Sequence, residues 1–390
     1  MADEEILLEV RGLKVHFPIE KGSITRRRVG WVRAVDGVDF TLRRGESLGL
    51  VGESGCGKTT TAMAVARLEA LSAGQVLFEG RDLASMANAE LNRARKDFQI
   101  VFQDPWSSLD PRMRVRDIIA EPLRIHAGRG HIAATEAEIA ERVLALMERC
   151  GLSKDFATRY PHEFSGGQRQ RIGIARALVL GPKLIIADEP VSALDVSIQS
   201  QILNLLKDLQ KELGLTFLFI AHDLAVVEYF CSRIAVMYLG RIVETASSYE
   251  LNRAPIHPYT KALLSAVPLP DPKRERERRR IILKGDVPSP SVERPGCPFR
   301  ERCPEAMDRC EREAPTLRPV NPGRTGHEAG GGVGASGGGA GVADFGGAGG
   351  LGGGNGVGGG NGGGTGAFGT GNGVGRAESG HLVSCFLYAD

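Results

Sequence analysis

A short apolar run that leads directly into a glycine-rich loop constrains the fold of this chain more than any other feature. Residues 47–51 have the composition of a buried β-strand, and the loop Gly52-Glu-Ser-Gly-Cys-Gly57-Lys58-Thr59 follows at once. The residues from Lys58 to about Leu71 predict a helix. In this strand–loop–helix arrangement, backbone N–H groups at the start of the helix face phosphate. The loop therefore predicts an α/β fold that binds a nucleoside triphosphate.

The chemistry of the loop assigns a role to several of its side chains. Lys58 is expected to reach the β and γ phosphate oxygens, and the hydroxyl of Thr59 is expected to ligate Mg²⁺. The thiol of Cys56 is interpreted as a small filler within the loop. The loop positions predicted to bind nucleotide are Gly52, Ser54, Gly55, Gly57, Lys58, Thr59 and Thr60.

A second apolar run, residues 184–187, ends in the acidic pair Asp188 and Glu189. A buried strand would deliver Asp188 to its carboxyl end, where the carboxylate can hold the Mg²⁺ shell. Glu189 is expected to orient and deprotonate the attacking water. An isolated acidic pair is usually surface charge, but this one ends a buried strand in a chain that also carries a phosphate loop. The pair therefore predicts the catalytic half of an ATPase site.

Two further polar residues lie where strands are predicted to end. His222 follows the apolar run 216–221, and Gln103 lies at the junction into a helix-rich region. A lone histidine could be a satisfied core residue, yet this one follows the strand after Glu189 and favours a γ-phosphate contact. Gln103 is interpreted as a lever that contacts the γ-phosphate and Mg²⁺ and moves the helical region.

The segment Phe164-Ser-Gly-Gly-Gln-Arg-Gln-Arg171 opens a predicted helix and supplies a second set of phosphate donors. Such a set is aimed at a nucleotide held mainly by another subunit. A chain that carries both halves is expected to work as a dimer that closes on ATP.

Composition excludes several classes of protein. The net charge of +2 does not indicate nucleic-acid binding. The acidic start of the sequence is not that of a signal peptide. The sequence lacks an apolar stretch of 18 residues, so it predicts no membrane-spanning helix. We therefore expect a cytosolic chain whose seven cysteines lie in a reducing compartment.

The pattern along the chain predicts a sequence of distinct regions. Residues 6–17 and 32–51 favour β-structure, residues 104–164 are mainly helical, and later strands alternate with helices, which predicts a largely parallel core sheet. The predicted regions are an ATPase cassette over 1–265 with a helical subdomain at about 104–164, a C-terminal extension over 266–327 that carries three cysteines, a glycine-rich flexible insertion over 328–380, and a tail over 381–390 that carries a fourth cysteine.

Together these motifs resemble the ATP-binding cassette (ABC) ATPases over about residues 6–265. The resemblance implies an α/β P-loop NTPase cassette with a largely parallel core sheet, an antiparallel N-terminal β subdomain and a helical subdomain. It implies that Phe17 stacks on adenine, although core packing is an alternative for this ring, and that Asp195 crosses a dimer interface. It also implies that the signature residues Ser165, Gly166, Gly167 and Gln168 contact ATP bound by the opposite subunit. The implied catalytic residues are Glu189, His222 and Lys58, and the implied Mg²⁺ ligands are Thr59, Gln103 and Asp188.

A narrower resemblance points to the ATP-binding subunits of oligopeptide and dipeptide importers. It is carried by the segments Val15-His-Phe-Pro-Ile19, Arg159-Tyr-Pro-His-Glu163, Gln199 to Gln210, His257-Pro-Tyr-Thr260 and Leu283-Lys-Gly-Asp-Val-Pro-Ser-Pro290. It implies a peripheral ATPase at the cytoplasmic face of the inner membrane, with two integral permease subunits, an identical or paralogous ATPase and an extracytoplasmic peptide-binding protein. A nickel or other small-solute importer is the nearer alternative, and a soluble ABC ATPase without a transport role is the more distant one.

Four cysteines near the end of the chain predict a metal site. Cys297, Cys303 and Cys310 form a cluster, and Cys385 follows after the glycine-rich segment. Their spacing departs from the C-x2-C pairs of structural zinc. All-thiolate ligation suits an iron–sulfur cluster, and related importer subunits carry a four-cysteine site of this kind. An iron–sulfur cluster such as [4Fe-4S], a zinc ion and no metal at all are the three alternatives.

Overall fold

The fold is taken from a computed structural model that describes residues 5–22, 27–268, 276, 280–320 and 380–388. Its N-terminal sheet has the strand order β2-β1-β4-β5 and pairs antiparallel throughout. These strands are β1 Ile6–Lys21, β2 Arg27–Arg43, β4 Ala73–Phe78 and β5 Arg81–Asp82. Leu13 and Val15 alternate with more exposed neighbours along β1, which is the period of a strand with one buried face. The predicted antiparallel subdomain is confirmed.

The central sheet is built on a parallel set of strands in the order β9-β3-β8-β7-β6. These strands are β3 Ser47–Val51, β6 Phe98–Val101, β7 Leu184–Asp188, β8 Thr216–Ala221 and β9 Arg233–Tyr238. Every residue of β3, β7 and β8 is buried, as expected for parallel strands covered on both faces. The carboxyl ends of β3, β7 and β8 share one edge of the sheet, and each of these strands is followed by polar residues that the sequence singles out.

The helices connect and cover these strands. They are α1 Lys58–Val65, α2 Asn88–Ala94, α3 Pro105–Ser108, α4 Val115–Gly128, α5 Glu136–Arg149, α6 Gly166–Leu178, α7 Val196–Leu213, α8 Leu224–Phe230, α9 Ser248–Arg253, α10 Pro258–Ala266 and α11 Asp308–Arg312. Short 3₁₀ turns at Lys154–Thr158 and Pro161–Glu163 complete the predicted helical region. Helix α5 is amphipathic, with Ile139, Val143 and Met147 among its buried residues, and a capping box between Thr135 and Glu138 starts it.

Helix α1 is shorter than the sequence predicts. It ends at Val65, whereas the apolar pattern continues to about Leu71. Arg67 has a φ of 53°, in the left-handed region, and the N–H groups of Leu68 and Glu69 both bond back to the carbonyl of Met63. These bonds close the helix end, as a left-handed residue commonly does.

The central sheet continues as an antiparallel edge that includes the tail. Strand β10 Arg241–Ser247 pairs with β9, and β12 Leu382–Val383 lies between β10 and β11 Arg318–Pro319. The described parts of residues 1–324 and 379–390 belong to one compact unit. The boundary at 265/266 stays a prediction, and the glycine-rich segment lies outside the described residues except for Gly380.

Candidate functional site

The phosphate loop joins β3 to the N-terminus of α1, and its backbone requires glycine at Gly57. Gly57 caps the helix with a φ of 106°, and a Cβ there would lie 2.1 Å from the carbonyl oxygen of Ala34. Lys58 is buried, and its Nζ donates to the carbonyl oxygens of Gly52 at 2.8 Å and Glu53 at 3.1 Å. The ammonium therefore lies at the centre of the loop, where its charge and the helix N-terminus favour phosphate.

Thr59 and Asp188 form a candidate Mg²⁺ site. The Thr59 hydroxyl donates to Oδ1 of Asp188 at 3.1 Å, so the structure joins the loop to the carboxyl end of β7. Burial raises the pKa of Asp188, and the nearby Glu189 charge raises it further, while the Thr59 hydrogen bond and Lys58 lower it. A hydroxyl and a buried carboxylate are oxygen ligands of the kind that Mg²⁺ takes. The donor set fits the ion that the loop motif implies.

Glu189 is held between two predicted site residues. Its Oε2 accepts from Gln103 Nε2 at 2.9 Å and lies 3.1 Å from His222 Nδ1. Its backbone adopts a φ of 45°, and its N–H donates to the carbonyl of Ile220 at 2.9 Å. Left-handed conformations of non-glycine residues concentrate at functional sites. The arrangement presents one carboxylate oxygen to an amide and an imidazole beside Asp188.

The signature segment begins helix α6 through a reciprocal cap. The Ser165 hydroxyl accepts from the Gln168 N–H at 3.4 Å, and the Gln168 side chain accepts from the Ser165 N–H at 3.0 Å. Gly167 is buried against α7, where an added Cβ would lie 2.5 Å from Cγ2 of Ile198. Asp195 is the N-cap residue of α7. Within the described residues no hydrogen bond joins Ser165 to the phosphate loop, and its contact with a partner's nucleotide stays a prediction.

Phe17 and Thr60 complete the set of residues that the sequence predicts to bind nucleotide. Phe17 pairs with Val32 across β1 and β2, and its side chain is 37 % exposed. The Phe17 ring is therefore outside the buried core, unlike Val15 on the same strand, and adenine stacking stays a prediction. Thr60 follows Thr59 in the first turn of α1, and Ser54 and Gly55 lie at the tip of the loop.

A contact that sequence reasoning missed connects the loop to the C-terminal extension. The carboxylate of Glu53 receives two hydrogen bonds from Arg302, at 2.6 and 3.1 Å, and the Glu53 N–H donates to the Tyr259 hydroxyl at 2.9 Å. The Arg302 side chain is 8 % exposed. No local sequence pattern predicts the Glu53–Arg302 pair, because 249 positions separate the two residues.

The structure brings the four extension and tail cysteines near one another. The Cys297 N–H donates to the Cys310 carbonyl at 2.8 Å, and the charges of the other three thiol groups contribute to raising the pKa of Cys385. Burial is the main reason that the pKa of Cys385 rises to about 12 and that of Cys297 to about 11. Nevertheless, in the parts of the chain that the structure describes, no three His, Cys, Asp or Glu side chains are arranged to hold a metal ion. The four-cysteine metal site therefore stays a prediction.

The tail reaches the cysteines because the cassette anchors it. The buried His381 imidazole lies 2.6 Å from Oε1 of the buried Glu244 carboxylate, which also accepts the N–H groups of Ile256 and His257. The Ser384 N–H donates to the Val243 carbonyl at 2.8 Å. Sequence reasoning singled out the tail for Cys385 and missed this buried pair.

Comparisons with known proteins agree with this geometry. The ABC transporter family matches residues 35–192, and the C-terminal region of oligopeptide/dipeptide transporters matches residues 243–310. The oligopeptide transport ATP-binding protein AppF of Bacillus subtilis is 51 % identical over 322 residues, covering 82 % of this chain and 96 % of AppF. OppF of Salmonella typhimurium, with the same description, is 51 % identical over 318 residues, covering 80 % of this chain and 93 % of OppF.

A solved structure extends the likeness to a dimeric cassette. The dimer of MJ0796, a bacterial ABC transporter cassette, has a TM-score of 0.54 and 27 % identity, covering 62 % of this chain and 98 % of that one. Within the described residues of this chain, no helix has the length and apolar character needed to cross a membrane.

Proposed function

Because this chain belongs to the ABC transporter ATPases of the oligopeptide/dipeptide importer family, we propose that it hydrolyses ATP to power peptide import through a membrane transporter. The observation that carries the proposal is the Glu189 carboxylate, held by Gln103 and His222 beside the Thr59–Asp188 pair. The match over residues 243–310 favours peptides over nickel or another small solute, and over a soluble ABC ATPase.

Each predicted site residue has a task in this proposal. Lys58 and the loop N–H groups bind the β and γ phosphates, and the partly exposed Phe17 ring stacks on adenine. Mg²⁺, when bound through Thr59 and Asp188, neutralises charge on the transferred phosphoryl group. Glu189 orients the attacking water and accepts its proton. His222 and Gln103 hold Glu189 in place and contact the γ-phosphate side of the site.

The second half of each site comes from another ATPase subunit in this proposal. Ser165 and Gly167 lie at the N-terminus of α6, and their donors point to nucleotide held by an identical or paralogous partner. Asp195 would cross the interface between the two ATPase subunits. The helical subdomain would dock on two integral permease subunits at the cytoplasmic face of the membrane, and an extracytoplasmic binding protein would deliver the peptide.

The test begins with the purified chain and its Glu189→Gln variant. We expect the wild-type chain to hydrolyse ATP with Mg²⁺, and the variant to bind ATP, lose turnover and accumulate as a closed dimer. Loss of a general base typically costs 10²–10⁴-fold in rate, so retention of most activity would refute the role of Glu189. Uptake of labelled peptides and of nickel by a deletion strain, with and without the restored gene, separates the two transport assignments.

We also propose that the four thiols hold an iron–sulfur cluster. The proposal is supported by the all-thiolate donor set and by the anchoring of the tail that carries Cys385. Anaerobically purified protein should be brown and contain iron and sulfide, and Cys385→Ser should remove both while the buried Cys150→Ser control keeps them. Stoichiometric zinc would favour a different metal, and colourless metal-free protein would contradict any bound metal.

A further inference from the structure

We propose that Arg302 is a positioning residue for ATP, which acts by holding Glu53 in the phosphate loop. The inference deepens the proposed ATPase function and rests on it. Glu53 is the second residue of the loop, and its carbonyl oxygen is one of the two that receive Lys58 Nζ. Arg302 therefore reaches the phosphate-binding ammonium through a single intervening residue.

The loop residue is fixed at each of its polar groups. The N–H of Glu53 donates to the Tyr259 hydroxyl at 2.9 Å, and its carbonyl accepts from Lys58 at 3.1 Å. Its carboxylate receives the two parallel bonds from the Arg302 guanidinium, at 2.6 and 3.1 Å. A bidentate Arg–carboxylate pair fixes direction as well as distance, which a single hydrogen bond does not.

The two anchors of Glu53, Tyr259 and Arg302, belong to the C-terminal part of the chain and both lie against Tyr238. Tyr259 is fully buried in α10, and its ring lies 5.4 Å from that of Phe299 in the extension. The Arg302 guanidinium lies 6.0 Å from the Tyr238 ring at the end of β9, and the Tyr238 and Tyr259 rings are 4.7 Å apart. This aromatic cluster leaves the Arg302 side chain little freedom, since only 8 % of it is exposed.

Charge gives the pair a second effect on ATP. Glu53 places a carboxylate in a loop that must receive a triphosphate, and the Arg302 guanidinium neutralises it. Without Arg302, a partly buried negative charge would oppose the incoming anion. Arg302 has no contact with Glu189, His222 or Gln103 among the described residues, so its loss should act on ATP binding more than on the chemical step.

The extension is thereby given a role at the nucleotide site. Arg302 directly precedes Cys303 and lies between Cys297 and Cys310, whose backbones are joined at 2.8 Å. The segment that carries three of the four thiols, residues 297–310, therefore also carries the arginine that holds the phosphate loop.

Steady-state ATPase kinetics of the full-length chain test the inference. Arg302→Ala should raise the KM for ATP by about tenfold or more while kcat changes by less than about twofold, the signature of lost substrate binding. Arg302→Lys keeps the positive charge but cannot form both hydrogen bonds to the carboxylate. Its KM for ATP should lie between those of the wild type and Arg302→Ala. Adding Glu53→Gln to Arg302→Ala should restore much of the KM, because it removes the uncompensated carboxylate.

Arg309→Ala is the matched control within the extension. Arg309 pairs with Glu313 at 2.9 Å, its guanidinium lies 4.3 Å from the Phe386 ring, and no contact among the described residues joins it to the loop. The KM of the Arg309→Ala variant for ATP should equal that of the wild type. If Arg302→Ala fails to fold, the Lys variant and the Glu53→Gln/Arg302→Ala double variant carry the test.

The outcomes separate the inference from the function on which it rests. An unchanged KM in the folded Arg302 variants, a loss confined to kcat, or the absence of rescue by Glu53→Gln would overturn the role of Arg302. A wild-type chain that neither binds nor hydrolyses ATP would instead overturn the proposed function.

Discussion

Replacing His381 with alanine should release the tail from the cassette without unfolding the protein. The Glu244 carboxylate is fully buried and has three partners, at 2.6 Å from His381 and at 2.8 and 3.0 Å from the N–H groups of Ile256 and His257. Leaving a buried hydrogen-bonding group without one of its partners costs about 1–3 kcal/mol, and more where the group is charged. Because the Glu244 carboxylate is fully buried but keeps two backbone donors, we expect a cost of about 3 kcal/mol.

This cost predicts a large change in the reactivity of Cys385. The thiol lies four positions after His381 on the same docked segment. At about 1.4 kcal/mol per factor of ten, a loss of 3 kcal/mol raises the population of the undocked tail by roughly 100-fold. Thiol labelling of reduced, metal-free protein, followed peptide by peptide with mass spectrometry, should show the rise at Cys385.

Two controls make the measurement specific. Cys150 is fully buried in the helical region and reports global opening, so its labelling rate should stay unchanged. His162→Ala removes an exposed histidine and should leave Cys385 protected. Equal labelling of Cys385 in the wild type and in His381→Ala would refute the reasoning, and a parallel rise at Cys150 would show that the pair stabilises the whole fold.

Three further predictions follow from the site and its surroundings. Asp188→Asn should raise the Tm of the nucleotide-free protein at neutral pH, because burial raises the pKa of Asp188 and so disfavours its charged form. The same substitution should abolish Mg²⁺-dependent hydrolysis. An unchanged or lower Tm in calorimetry would contradict the first expectation. Burial lowers the pKa of His257 from 6.5 to about 4, so the unfolded chain takes up the proton first and the free energy of unfolding should fall as the pH drops from 6.5 towards 4, by up to about 1.4 kcal/mol per pH unit. Urea titrations over this range should show that dependence flattened in His257→Asn. Gly167→Ala should destabilise the protein by about 1–3 kcal/mol, because the added methyl group overpacks against Ile198. The double variant Gly167→Ala/Ile198→Ala should recover part of that loss in urea unfolding. If Gly167→Ala alone is neutral, α6 and α7 can separate at no cost.

The nucleotide site could be predicted because its motifs are contiguous and end on neighbouring strands. Asp188 is the last residue of β7 and His222 follows β8, and parallel strands bring their carboxyl ends to one edge. The 3.1 Å contact between Thr59 and Asp188 follows from that topology. The residue assignments remain predictions, but the structure gathers them where the motifs place them.

The contacts of the C-terminal part could not be predicted, because their partners are far apart and carry no periodic signal. Glu53 and Arg302 are separated by 249 positions, and Glu244 and His381 by 137. A single arginine or histidine in a polar segment is usually solvated, so nothing local marks these two. The early end of α1 was missed for a similar reason, since arginine is an uncommon residue in the left-handed conformation that Arg67 adopts.

The position of β12 inside the sheet makes the order of synthesis matter. A ribosome makes β10 and β11 well before β12, the strand that lies between them. Until Leu382–Val383 emerge, the antiparallel edge of the nascent sheet carries unpaired backbone groups along β10. Exposed sheet edges are templates for pairing with other chains. Products that terminate prematurely upstream of the tail would therefore aggregate or exchange strands with neighbours even though every nucleotide-binding motif is already present.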